Sequence, residues 1–307
     1  MYDVSTTIVW PAWTSRFRAE IARIAVVLAI GTICSAAGAA DEESAAKAEA
    51  ILEKYIEATG GREAYAKLQN RVSEGTIEFV RKAVKVPVST YEARPNRKYV
   101  LFETKRRGRT EEGTDGEIAW QKSDVLGPRI RDGKQNEATL RDATFNRTVH
   151  WREIFTSVEY AGEETVNDQP ADRVILRREG GESEVWYFDQ ATHNLVRQDM
   201  TAAAPGREMP IKVFLSDYRE VDGIKYPFVA TQESMDREIR VVRESVKHNV
   251  DIPPDRFKLP DDVQALVEKK KAAAAAKTAA EKAEDGAAKP EPKDAPAETP
   301  GEEGGGD

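Results

Sequence analysis

The chain has 307 residues, with 54 acidic side chains against 46 basic ones and a formal charge of −8. That balance argues against a nucleic-acid role, which usually shows a concentrated basic surface, and the length suits one sizeable domain once the ends are set aside. The only cysteine is Cys34, so the body of the chain has neither a disulfide nor a thiolate metal site.

Residues 1–40 carry Arg16, Arg18 and Arg23, then an apolar run over 24–33, then small residues over 35–40. A basic start, a short apolar core and small residues before a polar segment predict a secretory signal peptide, cleaved near Ala40 before Asp41. The apolar run is shorter than the roughly 20 residues of a membrane span. An uncleaved anchor in the inner membrane is the alternative, because the segment before Arg16 is long. Cys34 is a weak lipidation candidate, since Ile33 stands where a small residue is expected.

Residues 42–59 predict a helix, because Ala48, Leu52, Tyr55, Ile56 and Thr59 recur at three- and four-residue spacing. Gly60 and Gly61 end it, and a short second helix is expected over 62–68. From Arg71 the period changes to two. Strands are predicted over 72–80, 88–94, 99–104, 109–114 and 117–121, rich in β-branched and aromatic residues. Between Gly127 and Thr156 the strand pattern lapses. Residues 136–155, with Leu140, Phe145, Val149, Trp151, Ile154 and Phe155 among charges, read mainly as helix.

Strands resume over 158–166, 173–178, 184–189 and 195–203, and in the third of these Trp186 and Phe188 point one way, Val185 and Tyr187 the other. Residues 211–234 form a long hairpin closed by Asp222-Gly223, a pair suited to a type I′ turn. Facing Val221 with Ile224 sets the register: Leu215 with Ala230, Asp217 with Phe228, Arg219 with Tyr226, Glu220 with Lys225 and Lys212 with Glu233. A one-residue slip would break both charge pairs. A last strand covers 239–250, with a bulge expected at Val241-Val242. Residues 261–307 form a tail rich in Ala, Lys, Glu and Pro. A solvated helix over 263–284 is compatible with it, and 286–307 has a disorder composition.

No catalytic machinery is visible. The three histidines, His150, His193 and His248, share no metal-ligand spacing, and no nucleophile elbow, phosphate loop or dinucleotide turn is present. The chain therefore reads as a non-enzyme, with no catalytic residue, no cofactor and no metal. What remains are large apolar side chains: Trp120, Phe145, Trp151, Trp186, Phe188, Tyr226 and Phe228. Two readings stand for them, sheet-to-helix core or the lining of a cavity between a curved sheet and the inserted helix.

In their order and spacing, the phrases ILEKYIEATGGREAYAKL with RVSEGTIEF, GTDGEIAWQ with GPR, VHWREIFTSVEYAGEETVND, VWYFDQATHNLVRQ and LSDYREVDGIKYPF resemble the bacterial outer-membrane lipoprotein-sorting (LolA/LolB-like) family. The likeness is to its branch with GG-x-E-A and DY-x-x-x-DG-x-x-x-P patterns, and it covers residues 45–260. It implies a mainly β (α+β) fold: an unclosed, strongly curved antiparallel β-barrel of about ten or eleven strands with helices on the concave face. It also implies a periplasmic monomer that holds acyl chains of lipoproteins or other lipids in an apolar cavity and touches the membrane transiently. An envelope-stress sensor that binds lipid and signals to an envelope protein partner is the alternative the same fold allows. Founding members hold the lid with an arginine, to which no position here is assigned. The domains expected are 1–40 signal peptide, 41–260 lipid-binding half-barrel and 261–307 tail.

Overall fold

A computed structural model describes residues 33–104, 108–204, 207–235 and 237–287. Most of the expected signal peptide, and the tail beyond Ala287, lie outside the described residues. Two compact units are distinguished, Met1–Val263 and Gln264–Asp307. In the second, the described residues continue a helix that begins at Asp261 and ends at Ala287, where the Ala/Lys/Glu composition allows one. Among the described residues no helix is long and apolar enough to cross a membrane.

Among its described residues the first unit is built on a single antiparallel sheet of thirteen strands. Strands β1 (Asn70–Phe79), β2 (Val84–Ala93), β3 (Arg97–Thr104), β4 (Gly108–Thr114), β5 (Ala119–Ser123) and β6 (Gly127–Ile130) run outward as a meander to one edge. Strands β7 (Ser157–Val166), β8 (Gln169–Arg177), β9 (Ser183–Asp189), β10 (Leu195–Ala204), β11 (Arg207–Val221), β12 (Ile224–Ser234) and β13 (Arg237–His248) run inward from the other edge. The halves join where β13 pairs with β1, and β6 and β7 stay apart as the two edges, so the sheet is unclosed. The architecture is the one the resemblance implies, with thirteen strands rather than ten or eleven.

Beyond the twelve strands expected from alternation, the one added is the short β6, which pairs with β5 where the alternating pattern lapses. Pro128 lies in it, opposite Lys122. An edge strand tolerates proline because one of its sides donates no ladder hydrogen bonds.

The 211–234 hairpin takes the expected register at Lys212↔Glu233, Leu215↔Ala230, Arg219↔Tyr226, Glu220↔Lys225 and Val221↔Ile224. Its turn residues Asp222 and Gly223 have φ of 53° and 79°, as a type I′ turn requires. Asp217 and Phe228 are the exception. Asp217 is left-handed, with φ of 54°, and drops out of the ladder without shifting it. Its carboxylate instead accepts from Arg219 at 2.6 and 3.0 Å.

The bulge in β13 lies at Glu244 rather than at Val241-Val242, since Glu74 pairs with Ser245 while Gly75 pairs with Arg243. Gly75 is fixed by this close approach: a Cβ there would sit 2.2 Å from the Val242 carbonyl oxygen. Backbone cannot yield as a side-chain tip does. Gly75→Ala is therefore expected to cost about 1–3 kcal/mol, read as a lower thermal midpoint with the strand content at low temperature unchanged.

Helix α1 (Ile33–Ala58) and the short α2 (Gly61–Ala66) precede the sheet. The predicted stripe of α1, Ala48, Leu52, Tyr55 and Ile56, is buried against Trp186, Phe188, Leu195 and Ile224. The C-terminal end of α1 docks on the 222–223 turn, where Lys225 donates its backbone N–H to the Thr59 carbonyl at 2.9 Å.

The single helix expected over 136–155 is instead two, α3 (Lys134–Asp142) and α4 (Trp151–Ile154). Between them Asn146 is left-handed, with φ of 54°, and Phe145 donates its N–H to the Pro95 carbonyl at 2.9 Å. The break lets Phe145 and Val149 enter the core beneath α1, an arrangement one continuous amphipathic stripe would not give.

Candidate functional site

The sheet's inner face is occupied unequally. Over β7–β10 it is covered by α1, α2 and the α3–α4 connection, which with it form one large apolar core. Over β1–β4 and β11–β13 it is left partly open, and a cavity of about 310 Å³ lies there. That volume is at the lower end of the range for small-molecule sites, roughly 300–1,000 Å³.

The cavity is amphipathic along its length. Ile77, Val88, Val100, Ile239 and Val241 form an apolar wall towards the β1–β2 turn, extended by Leu215 and Ala230. Towards the opposite end the lining turns charged, with Glu92, Lys98, Glu112, Arg131, Asp142 and Arg243.

Arg71 organises that charged end. Its guanidinium donates to Glu92 Oε2 at 2.7 and 2.9 Å and to Asn146 Oδ1 at 3.2 Å. It also lies 4.4 Å from the centre of the Tyr226 ring and 5.2 Å from that of Phe145. One buried cation thus ties β1, β2 and β12 to the α3–α4 connection. Burial raises the Glu92 carboxyl, but the charges of Arg71 and Lys98 outweigh it and hold it down at about 2. Two other carboxyls go the opposite way. Burial pushes Asp142 up to about 6 against the pull of Arg147. Burial likewise raises Glu112, only partly offset by Arg131 and Lys98.

The seven aromatic side chains singled out by sequence divide between these regions. Tyr226 lines the cavity. Trp120 borders it, while its ring packs with Tyr99, 6.2 Å away, and with Phe257. Phe145, Trp151, Trp186 and Phe188 lie in the packed core under α1 instead. Phe228 is buried with Arg219 over its ring at 4.5 Å, and is not part of the cavity lining. Sequence reasoning missed Arg71, Glu92 and Glu112, because charged residues in alternating strands read as the solvated face.

Among the described residues, no group of three or more His, Cys, Asp or Glu side chains is placed to hold a metal ion. His150 stands just before α4, His193 lies in the β9–β10 turn, and His248 ends β13 bonded to Asp222 at 3.1 Å.

No family model and no curated protein matches this sequence. Solved structures do. A DUF1329 family protein from Desulfovibrio piger superposes with a TM-score of 0.50 at 14% identity, over 69% of this chain and 97% of that one. The LolA superfamily protein NE2245 from Nitrosomonas europaea superposes with a TM-score of 0.48 at 12% identity, over 69% of this chain and 97% of that one. At such identities the likeness concerns fold alone, and the fold of this chain is the open, curved antiparallel sheet with helices that its sequence resemblance implies.

Proposed function

We propose that residues 41–260 form a periplasmic binding module or carrier for acylated amphiphiles, lipoproteins among them, and that the protein is not an enzyme. The observation that carries this reading is the amphipathic cavity, left open on a sheet whose other half is closely packed. A close-packed domain avoids such a space. An acyl chain laid along the Ile77–Val241 wall would gain about 0.8 kcal/mol per buried methylene. Tyr226 is assigned to the ligand wall, and Trp120 to the packing of the other face with Tyr99 and Phe257. Phe145, Trp151, Trp186, Phe188 and Phe228 are assigned to the packing that holds the wall in place.

The sheet edges and turns support transient membrane contact. Strands alternate in direction, so the β1–β2, β5–β6 and β12–β13 turns fall at one end of the sheet. Among the described residues, the exposed large apolar side chains Val80, Val84, Val125 and Met235 all lie at these turns.

Ala230 lines the cavity, so Ala230→Leu should weaken a fluorescent fatty acid by about tenfold or more while lowering stability by less than about 1 kcal/mol. Val185, packed with Tyr187 and Phe214 on the other face, is the control. Val185→Phe should cost about 1–3 kcal/mol and leave binding alone. Strong destabilisation by Ala230→Leu with binding intact would make that wall ordinary core and remove the basis for a carrier.

A further inference from the structure

We propose that the cavity's occupant carries a hydrogen-bond-donating head group, an ammonium or a hydroxyl, set against Glu112; the proposal rests on the amphiphile-binding reading above. Glu112 stands on β4, paired with Gln121 across the β4–β5 ladder, and its side chain lines the charged part of the cavity. Its Oε2 is buried with no hydrogen-bond partner. The nearest cation, Arg131 Nη2, lies 3.7 Å away, an ion pair too long for a hydrogen bond. A buried acceptor without a donor is costly, by about 1–3 kcal/mol, and a donor delivered by a ligand removes that cost.

The other charges around it favour the same kind of ligand. Asp142, on the same cavity wall, also meets its cation at a long distance, with Arg147 Nε at 3.7 Å. Each lining cation, for its part, already faces a carboxylate or a carbonyl of the protein. Lys98 lies 3.6 Å from Glu92. Arg243 donates to the Pro227 carbonyl at 2.8 Å and covers the Tyr226 ring. Arg131 faces Glu112 itself. Three acidic residues, Glu92, Glu112 and Asp142, line the cavity with the three bases Lys98, Arg131 and Arg243, while the Glu74 carboxylate lies on the other face of the sheet, where Ser89 donates to it. A carboxylate head group would add another anion beside carboxyls that burial already holds above their usual range. An ammonium or hydroxyl instead donates to an oxygen that lacks a partner. With its head at Glu112, the chain of such an amphiphile runs past Val100 and Val88 towards Ile77, along the apolar wall.

The test compares ligands that share one acyl length and differ only in the head: dodecylamine, glyceryl monododecanoate and dodecanoate. Binding to the mature protein at neutral pH is measured by calorimetry. The amine and the glyceride are each expected to bind about tenfold tighter than the carboxylate, a difference of about 1.4 kcal/mol. In Glu112→Gln, which keeps the side-chain volume, the amine-over-carboxylate ratio should fall to about threefold or less. The wild-type ranking needs no variant, and a thermal melt shows whether the variant is folded. Equal or tighter binding of dodecanoate by the wild type overturns the head-group assignment and leaves the carrier reading standing. An amine preference that survives Glu112→Gln intact overturns the role of Glu112. Failure of all three ligands to bind overturns the carrier reading itself.

Discussion

Arg71→Met is expected to be the most damaging substitution at the charged end of the cavity. The Arg71 side chain is 6% exposed and its partner Glu92 16% exposed, so the pair is almost wholly removed from water. Removing one member strands the other: Glu92 would keep Lys98, 3.6 Å away, and the more distant charge of Arg243. Asn146 Oδ1 would lose its donor as well. Breaking a buried pair on one side costs about 3–5 kcal/mol, whereas replacing both members by apolar residues is often neutral or better. The single variant should therefore melt more than about 6 °C lower, at roughly 2–4 °C per kcal/mol for a domain of this size. Arg71→Met combined with Glu92→Met should recover most of that loss. If the double variant melts no higher than the single, the damage comes from lost packing on Tyr226 and Phe145 instead of from a stranded charge.

The same pair gives a pH signature. Glu92 is held at about 2, below its ordinary 4.5. A carboxyl depressed in the folded state contributes stability above its unfolded pKa and loses it as pH falls through the folded one. The wild type should lose stability between about pH 4.5 and 2 more steeply than the double variant, since only the wild type must protonate this carboxylate. Urea unfolding at several pH values measures the difference in slope.

Local signals in the sequence carried much of the fold. The hairpin register follows from a two-residue turn and strict alternation, and both concern residues that end up as neighbours. The buried stripe of α1 and the opposite facing of Trp186 and Tyr187 are likewise properties of one element. Features that depend on distant chain were not legible. Asn146 breaks the expected helix while its side chain accepts a hydrogen bond from Arg71, across a gap of 75 residues. β6 is short and contains Pro128, so no alternation marks it, and only β5 beside it makes it a strand.

The candidate site was legible as a set of aromatic residues but not as a place. Alternation tells which residues share a face. It cannot tell which part of that face a helix will cover, because that is decided by where α1 docks. Arg71 and Glu92 carried a usable signal all the same. They are direct partners across the β1–β2 ladder, so pairing those two strands from sequence would have set opposite charges face to face.

The division of the sheet into a filled half and an open half leads to the other large expected effect. Trp186 is fully buried. Its ring meets Phe155 edge-on at 5.6 Å and lies 6.3 Å from Phe188. Its Nε1 donates to Glu184 Oε2 at 2.8 Å. Trp186→Ala removes the ring and that donor together, and a buried tryptophan truncated to alanine costs about 3–5 kcal/mol. Glu184 remains paired with Arg147 and Arg178, so the loss is mainly one of packing and not of a stranded charge. Trp186 packs with Phe155 and Phe188 in the core it shares with α1, so the void lies in that core and apart from the apolar ligand wall. Residual folded protein should accordingly bind a fluorescent fatty acid within about threefold of wild type. Ala230→Leu should do the reverse, keeping stability and losing binding. Chemical denaturation and fatty-acid titration of both variants decide the matter. A Trp186→Ala protein that is nearly as stable as wild type, with altered binding, would place the ligand under α1 and make the cavity beside β1–β4 secondary.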